Sequence, residues 1–202
     1  MKLVVGLGNP GKKYEQTRHN VGYAVLAELA RRYQAGRPKT RFEADIAEIM
    51  IGAEKILLAA PLTYMNLSGQ SVALIVGFYQ MNLDDILVVC DDFNLDLGRL
   101  RLRGSGSSGG QKGLQNIITR CGSERFARLR IGIGRPPQQM NTTDFVLSRF
   151  RGEEQDEIDN AIREAANGVE LWVNQGLEPA MNAVNRPDEA PPAPTKPDDS
   201  KS

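Results

Sequence analysis

The chain has 202 residues, of which 41% are hydrophobic, and this suits one globular domain with a sizeable core. No stretch approaches the ~20 apolar residues that a membrane-spanning helix needs, and the first residues, MKLVVGLGNPG, lack the long apolar core of a signal peptide. We therefore expect a cytoplasmic protein without a membrane partner.

The chain contains two cysteines, Cys90 and Cys121, and one histidine, His19. They form no C-x-x-C pair and no cluster with metal-ligand spacing, so neither a disulfide framework nor a metal site is predicted. Two buried free thiols are expected instead.

The total charge is zero, but the charges are segregated along the chain. Residues 99–135 contain nine lysines or arginines and one acid, whereas residues 153–189 contain ten acids and two arginines. The basic stretch is a candidate surface for a polyanion. The alternative is a set of solvated charges scattered around the fold.

Hydrophobic periodicity predicts strands and helices in alternation. In chain order, we predict a strand at 2–7, a helix at 20–34, two strands at 40–51 and 55–60, a helix at 66–80 and a strand at 86–90. A strand at 98–103, a helix at 113–120, a strand at 126–133 and a long helix at 153–174 follow. This order predicts an α/β fold: a single domain, residues 1–185, with a mixed, mostly parallel sheet covered by helices on both faces. The Pro-rich, charged residues 186–202 are predicted to be a disordered tail.

The first predicted strand ends in a G-x-G-x-x-G pattern formed by Gly6, Gly8 and Gly11. A dinucleotide-binding turn needs a helix that begins at these glycines, so that its N-terminus meets the pyrophosphate. Here the next nine residues, KKYEQTRHN, have no amphipathic helical pattern, and the predicted helix begins near Asn20. A dinucleotide site is therefore disfavoured, and the glycine-rich residues 104–110 lack the Lys-Ser or Lys-Thr of a P-loop.

What remains is a strand that ends in a tight turn presenting Asn9, and a loop that presents Tyr14 and His19. A histidine side chain has an ordinary pKa of ~6.5 and can act as a base near neutral pH. Asp91 follows the strand 86–90, and a carboxylate on one imidazole nitrogen would leave the other free to take a proton from water. Asp92 is the alternative acid, but in an extended chain it points to the other face. A structural role is the alternative for His19.

Three further side chains have two interpretations each. Cys90 could be a nucleophile paired with His19, but its place inside an apolar strand favours a buried thiol. Asn66, at the start of the predicted helix 66–80, could be an N-cap or an amide that grips a polar substrate. Tyr64 could stack on a nucleobase or simply be half buried.

Four segments occur in order along the chain: GLGNPGKKYEQTRHNVGY, PLTYMNLSGQSV, CDDFNLDLGRLRLRGSGSSGGQKGLQNI and FARLRIGIGRP. Together they resemble bacterial-type peptidyl-tRNA hydrolase over residues 1–185. The resemblance implies an enzyme that hydrolyses the ester between an N-blocked peptide and the 3′-terminal ribose of tRNA, releasing peptide and recyclable tRNA during translation. It also implies no metal or cofactor, binding of the acceptor stem and CCA end of peptidyl-tRNA, no obligate protein partner, and a monomer.

The resemblance further assigns roles to individual side chains. His19 matches the catalytic base, Asp91 the acid that orients it, and Asn9 the residue that favours N-blocked peptides. Positions that contact the tRNA end and the peptide backbone are matched by Tyr14, Tyr64 and Asn66. Basic positions near the acceptor-stem phosphates are matched by Arg101, Arg103 and Arg130.

The chain departs from the family pattern in the glycine-rich loop, where Gln111 and Lys112 replace a common His-Asn pair. Lys112 cannot accept a hydrogen bond as asparagine does, but it could reach a phosphate of the substrate. Cys90 also replaces a larger aromatic or imidazole residue that is common ahead of the acid.

Two other classes of function remain as alternatives. The first is an RNA-binding module on the same scaffold with weak or lost catalysis, which the change at Gln111 and Lys112 favours. The second is a nucleotide-dependent oxidoreductase built on the glycine turn, which the missing helix after that turn disfavours.

Overall fold

A computed structural model describes residues 1–185, and these residues contain a seven-stranded sheet in the order β2-β3-β4-β1-β5-β7-β6. The strands are β1 (Lys2–Gly6), β2 (Lys39–Arg41), β3 (Ala44–Ile51), β4 (Glu54–Pro61), β5 (Ile86–Asp92), β6 (Leu100–Arg103) and β7 (Ala127–Gly132). The four central strands β4, β1, β5 and β7 are parallel, and β2, β3 and β6 add antiparallel edges. The predicted mixed, mostly parallel sheet is confirmed.

Helices cover both faces of this sheet. They are α1 (Val21–Arg32), α2 (Ser68–Tyr79), α3 (Lys112–Cys121), α4 (Thr142–Val146), α5 (Glu153–Gln175) and α6 (Leu177–Val184). Alternate residues of β1 face opposite layers: Val4 packs in the core with α1, α5 and α6, whereas Leu3 and Val5 pack with α2 and α3. None of these helices within residues 1–185 is long and apolar enough to span a membrane.

The predicted single strand at 40–51 is wrong, because it is divided into β2 and β3. Phe42 and Glu43 both have φ 55°, and Arg41 pairs with Ala44 across them. Two successive residues with positive φ form a tight hairpin turn, which matches the twist of the strands on either side. Neither residue is the glycine or asparagine that is typical of such a turn, so the turn could not be predicted from the residue types.

Helices α4 and α6 were not predicted. Helix α4 has only five residues, too few for periodicity to reveal. Helix α6 follows Gly176, whose φ of 89° ends α5 and turns the chain. Its apolar residues do repeat at helical spacing, so this element was readable from the sequence. The predicted disordered tail, residues 186–202, lies outside the described residues.

The chain reverses its direction of travel across the sheet between β1 and β5. From β1 it passes through α1 to the strands on one side, and from β4 it crosses through α2 to β5 on the other side of β1. In open α/β sheets, such a reversal leaves a crevice at the carboxyl ends of the two neighbouring strands. Residues that follow β1 and end β5 therefore meet at one place.

The glycines after β1 permit close packing of the backbone. A Cβ on Gly6 would overlap the Gly22 carbonyl oxygen in α1, and a Cβ on Gly22 would overlap the Leu7 backbone. A Cβ on Gly8 would lie 2.9 Å from the Tyr23 ring. Strand and helix touch backbone to backbone here, which only glycine allows. These contacts account for Gly6 and Gly8 without a dinucleotide, and Gly11 has a φ of 102°, which suits glycine.

Arg18 anchors the loop that precedes α1. Its buried guanidinium stacks on the rings of Phe145 and Phe150, 4.5 and 4.6 Å from their centroids. It also donates to the Ile133 carbonyl oxygen at 3.1 Å and to both carboxylate oxygens of Glu154, at 2.7 and 2.9 Å. These contacts fix the loop to α4 and to the start of α5.

The ion pair between Arg18 and Glu154 makes stability depend on pH. Burial opposes the charge of Glu154, but hydrogen bonds from Arg18 and the Arg151 backbone outweigh it and lower the pKa of Glu154 below 4.5. Its contribution is therefore complete above pH 4.5 and is lost as the pH falls through the lowered pKa of the folded state. We expect Glu154→Gln to lower the free energy of unfolding by about 1 kcal/mol at pH 7, because the pair is partly exposed.

The difference in the free energy of unfolding between Glu154→Gln and wild type should shrink as the pH falls towards 3. At that pH Glu154 becomes protonated, and a protonated glutamic acid resembles glutamine. Urea unfolding at pH 7 and pH 3 measures it. The control is Glu153→Gln, one position earlier on the exposed start of α5. An equal loss at both pH values would contradict the assignment.

Candidate active site

A cleft of about 340 Å³ lies at the carboxyl ends of β1 and β5. Its floor is formed by residues that follow β1 and end β5, and α4 and the loop 108–111 form part of its rim. The predicted residues among those that line it are Asn9, His19, Tyr64, Asn66, Asp91, Lys112 and Arg130. The fold therefore brings together seven of the ten side chains predicted from the sequence.

His19 and Asp91 form a hydrogen-bonded pair. His19 Nδ1 lies 2.7 Å from Asp91 Oδ2, and the two side chains are 13% and 3% exposed. A carboxylate at this distance fixes the neutral imidazole with its proton on Nδ1. Nε2 is then the nitrogen left to accept a proton, and it makes no hydrogen bond to any residue in 1–185. The expected pairing of these two residues is confirmed.

Asn9 is held on three sides beside the pair. Its backbone N–H donates to Asn20 Oδ1 at 2.9 Å, and its carbonyl accepts from Asn20 Nδ2 at 3.0 Å. Its side-chain Oδ1 accepts from the Met65 backbone N–H at 2.8 Å. Because Oδ1 is used, the free group that Asn9 offers to the cleft is the donor Nδ2.

Asn66 and Tyr64 form a neutral part of the rim. Asn66 lies in a 3₁₀ turn ahead of α2, and Leu67 rather than Asn66 is the N-cap residue of that helix. The capping interpretation is therefore wrong, and the exposed Asn66 amide makes no hydrogen bond to the described part of the chain. Tyr64 is 56% exposed, which is close to the half-buried alternative and still leaves part of the side chain open to a ligand.

Tyr14 does not line the cleft. Its ring lies under Lys13, whose Nζ is 4.7 Å from the ring centroid. A hydrogen bond and the charge of Tyr14 raise the pKa of Lys13, and the charge of Tyr64 adds to the effect. Tyr14 is therefore a partly buried side chain that lies outside the cleft beside Lys13.

The arginines of β6 and β7 share one face of the sheet but differ in their availability. Arg101 pairs with Arg130 across the two strands, and Arg103 pairs with Arg128. Arg130 lines the cleft and donates to Asp92 Oδ2 at 3.0 Å and to the Ser107 carbonyl at 2.9 Å. Arg101 and Arg103 are exposed and line a neighbouring depression.

Arg128 belongs to the structure rather than to the surface. It is 1% exposed, and its guanidinium donates to the backbone carbonyls of Gly106, Glu124 and Phe126. Burial lowers the pKa of Arg128, with the nearby charge of Arg130 adding to the effect. This cation of the basic stretch is therefore not available to a phosphate.

Helix α3 begins at the edge of the cleft. Its N-cap residue is Gln111, whose side-chain Nε2 lies 3.1 Å from Asp91 Oδ1. Lys112 is exposed at the rim and makes no ion pair with any described residue. In the sequence, Gln111 stands out only because it replaces the histidine of a common His-Asn pair. Its contact with Asp91 depends on β5 and α3 meeting in the fold, so no sequence signal could reveal it.

Cys90 is fully buried one residue ahead of Asp91. Burial raises the pKa of its thiol, and the charge of Asp91 raises it further. A thiol that stays protonated at neutral pH is a poor nucleophile, so the buried-thiol interpretation is confirmed. Within residues 1–185, no three histidine, cysteine or acidic side chains lie close enough to hold a metal ion.

The two hydrogen bonds from Asn20 to the Asn9 backbone should support both stability and activity. Asn20→Ala leaves a buried N–H and a buried carbonyl without partners, which should cost about 1–3 kcal/mol in the free energy of unfolding. Asn20→Asp keeps an acceptor for the N–H but sets a buried carboxylate oxygen against the Asn9 carbonyl oxygen, so its loss should be at least as large. Urea unfolding measures both; an unchanged Asn20→Ala would show that the clamp contributes nothing.

The chain is similar in sequence and in structure to proteins of one known family. The family model described as peptidyl-tRNA hydrolase matches residues 3–192. A peptidyl-tRNA hydrolase of Rhodopirellula baltica is 54% identical over 92% of this chain and 97% of its own length. One of Syntrophomonas wolfei is 48% identical over 92% of this chain and all of its own length. A crystal structure of the peptidyl-tRNA hydrolase of Acinetobacter baumannii superposes with a TM-score of 0.86 at 38% identity, covering 92% and 94% of the two chains.

Proposed function

Because the chain belongs to the peptidyl-tRNA hydrolase family, we propose that His19 is the general base that hydrolyses the ester between peptide and tRNA, and that Asp91 orients it. The observation that supports this most directly is the 2.7 Å contact between His19 Nδ1 and Asp91 Oδ2 at the floor of the cleft. General-base assistance of this kind contributes about 10²–10⁴-fold to rate.

The reaction needs one water molecule and one base. His19 Nε2 takes a proton from water, and the water oxygen bonds to the ester carbonyl carbon to give a tetrahedral intermediate. The bond from that carbon to the ribose oxygen then breaks, and the imidazolium of His19 returns the proton to the ribose oxygen. The products are the free peptide acid and tRNA with a ribose hydroxyl. Asp91 stabilises the imidazolium while it exists.

The amides in the cleft suit an N-blocked peptide. Asn9 Nδ2 can donate to a peptide carbonyl, and the Asn66 amide can both donate and accept. A free α-amine would bring a positive charge into this neutral part of the cleft. Arg130 already pairs with Asp92, and both carboxylate oxygens of Asp91 are held by His19 and Gln111, so neither acid offers a free oxygen to the amine. Unblocked aminoacyl-tRNA should therefore bind poorly.

The two sides of the cleft differ in charge and so orient the substrate. Arg130 lies in the cleft, and Arg101 and Arg103 continue the basic surface beyond it on β6. Tyr64 and Asn66 lie in residues 56–83, which contain no charged residue at all. We place the acceptor-stem phosphates on the basic side and the peptide on the neutral side. Tyr14 and Tyr64 are placed against the CCA end, where aromatic rings can stack on bases.

The proposed mechanism uses no metal ion or cofactor, since the chain supplies both the base and the carboxylate that orients it. A monomer is part of the same proposal, because all the assigned side chains come from one chain, and so is a cytoplasmic location, because translation supplies the substrate there. Rates that are unchanged after dialysis against a chelator, and a monomer mass in sedimentation, are the expected results.

The first test compares release of N-acetyl-aminoacyl groups from tRNA with release of unblocked aminoacyl groups. Wild type should cleave only the blocked substrate, and His19→Ala should lower kcat by about 10²–10⁴-fold with tRNA binding retained. Near-normal turnover by the variant would remove His19 from the mechanism. Tight tRNA binding by wild type without cleavage would instead favour an RNA-binding module.

The exposed arginines should set the salt dependence of binding. Arg101→Ala/Arg103→Ala should raise KM, leave kcat near wild type and flatten the plot of log affinity against log salt by a slope of roughly 1.4–1.8. The control is Arg37→Ala/Lys39→Ala, which removes two exposed positive charges at the opposite edge of the sheet. Equal effects of the two double variants would contradict a specific phosphate contact.

A further inference from the structure

Gln111 completes the polar contacts of the catalytic carboxylate. Its Nε2 lies 3.1 Å from Asp91 Oδ1, while His19 Nδ1 lies 2.7 Å from Asp91 Oδ2. Each carboxylate oxygen therefore has its own donor, one from the turn ahead of α1 and one from the N-terminus of α3. Asp91 and Gln111 are only 3% and 8% exposed, so bulk water does not readily replace either contact.

A second hydrogen bond fixes which way the Gln111 amide points. The Leu114 backbone N–H donates to Gln111 Oε1 at 2.8 Å, which is the N-cap bond of α3. An amide whose oxygen is held by an N–H group presents its NH₂ group on the other side. That group lies against Asp91 and, at 3.1 Å, against Met65 Sδ. The helix cap thus aims a donor at the carboxylate.

We propose that Gln111 is a positioning residue for the general base, holding the Asp91 carboxylate so that Oδ2 stays directed at His19 Nδ1. The inference rests on the proposed function, because Gln111 acts through Asp91 and His19. The terminal torsion of an aspartate side chain is broad, so a carboxylate bound through one oxygen can turn. A donor on Oδ1 restricts this rotation, and the partial positive charge at the start of α3 favours the ionised carboxylate.

An amide performs this task without a titration of its own. Gln111 donates the same hydrogen bond at every pH at which the protein is folded. The other charged or titratable side chains that face the pair from the cleft are Tyr64, Asp92, Lys112 and Arg130, with Arg18 and Glu154 behind the His19 loop. Asp92 is paired with Arg130, and Glu154 with Arg18.

Capping and positioning can be separated by two substitutions. Gln111→Ser keeps a side-chain oxygen for the Leu114 N–H but cannot reach Asp91, whereas Gln111→Ala removes both contacts. If Gln111 positions Asp91, both variants lose about tenfold in kcat with KM near wild type, and only Gln111→Ala loses thermal stability as well. The control is Gln115→Ser, an exposed glutamine on the same helix that does not touch Asp91. A Gln111→Ser variant with wild-type kcat would overturn the inference, leaving Gln111 as a helix cap only.

A third substitution tests the action on His19 directly. Gln111→Asn keeps the capping oxygen and the amide but is one methylene too short to reach Asp91. If Gln111 holds the carboxylate, Asp91 can turn in this variant, and the His19 Nδ1–H signal should exchange with water faster than in wild type. His19 is the only histidine in the chain, so its imidazole signals in an NMR spectrum need no further assignment. An exchange rate equal to that of wild type would overturn the inference.

A fourth substitution supplies the rescue. In Gln111→His the imidazole can present an N–H donor near the position of Gln111 Nε2, so kcat should recover towards wild type near neutral pH. The NMR exchange measurement uses no substrate and so reports the effect on the His19–Asp91 pair independently of turnover. Wild type that fails to cleave N-acetyl-aminoacyl-tRNA would overturn the proposed function. Wild-type cleavage with an unaffected Gln111→Ser would overturn only the role of Gln111.

Discussion

The backbone contact between the end of β1 and the first turn of α1 sets the geometry on which the site depends. Gly6 and Gly22 touch without intervening side chains, and a Cβ on either would overlap the other element. Because strand and helix are this close, residues 7–20 must fold back over the carboxyl ends of the strands. Asn9 and His19 are both carried to the same edge as Asp91 by this path.

Satisfied polar contacts then hold the cleft in one arrangement. The buried charges of Asp91, Asp92 and Arg18 each have partners at hydrogen-bond distance. A buried ionic group without a partner would cost several kcal/mol in the free energy of folding. The site can therefore lie inside an α/β core only because each of these charges is paired. The groups left for a substrate are few and largely neutral: His19 Nε2, Asn9 Nδ2 and the Asn66 amide, with Lys112 at the rim.

The segregation of charge along the chain becomes a separation in space. The basic residues of β6 and β7 lie on one side of the cleft, and the uncharged residues 56–83 supply the other. The position of an arginine in the sequence does not by itself show whether it lies on this basic surface. Arg128 alternates with the apolar residues of β7 as Arg130 does, yet it is buried and serves backbone carbonyls beside the loop 104–108. Exposure, rather than residue type, decides which arginines can meet a phosphate.

The sequence by itself determined the fold class, most of the elements, and the two residues that we propose as the base and its acid. These follow from local features: apolar periodicity, a histidine at a loop-to-helix junction, and an acid at the end of a buried strand. The hairpin at Phe42 and Glu43 escaped because its positive φ values occur in residues that do not announce them. Tertiary structure alone decided that Gln111 meets Asp91, that Tyr14 lies outside the cleft, and that Leu67 rather than Asn66 caps α2. Each of these depends on how separate elements pack, and a pattern within one segment carries no information about the distance to another.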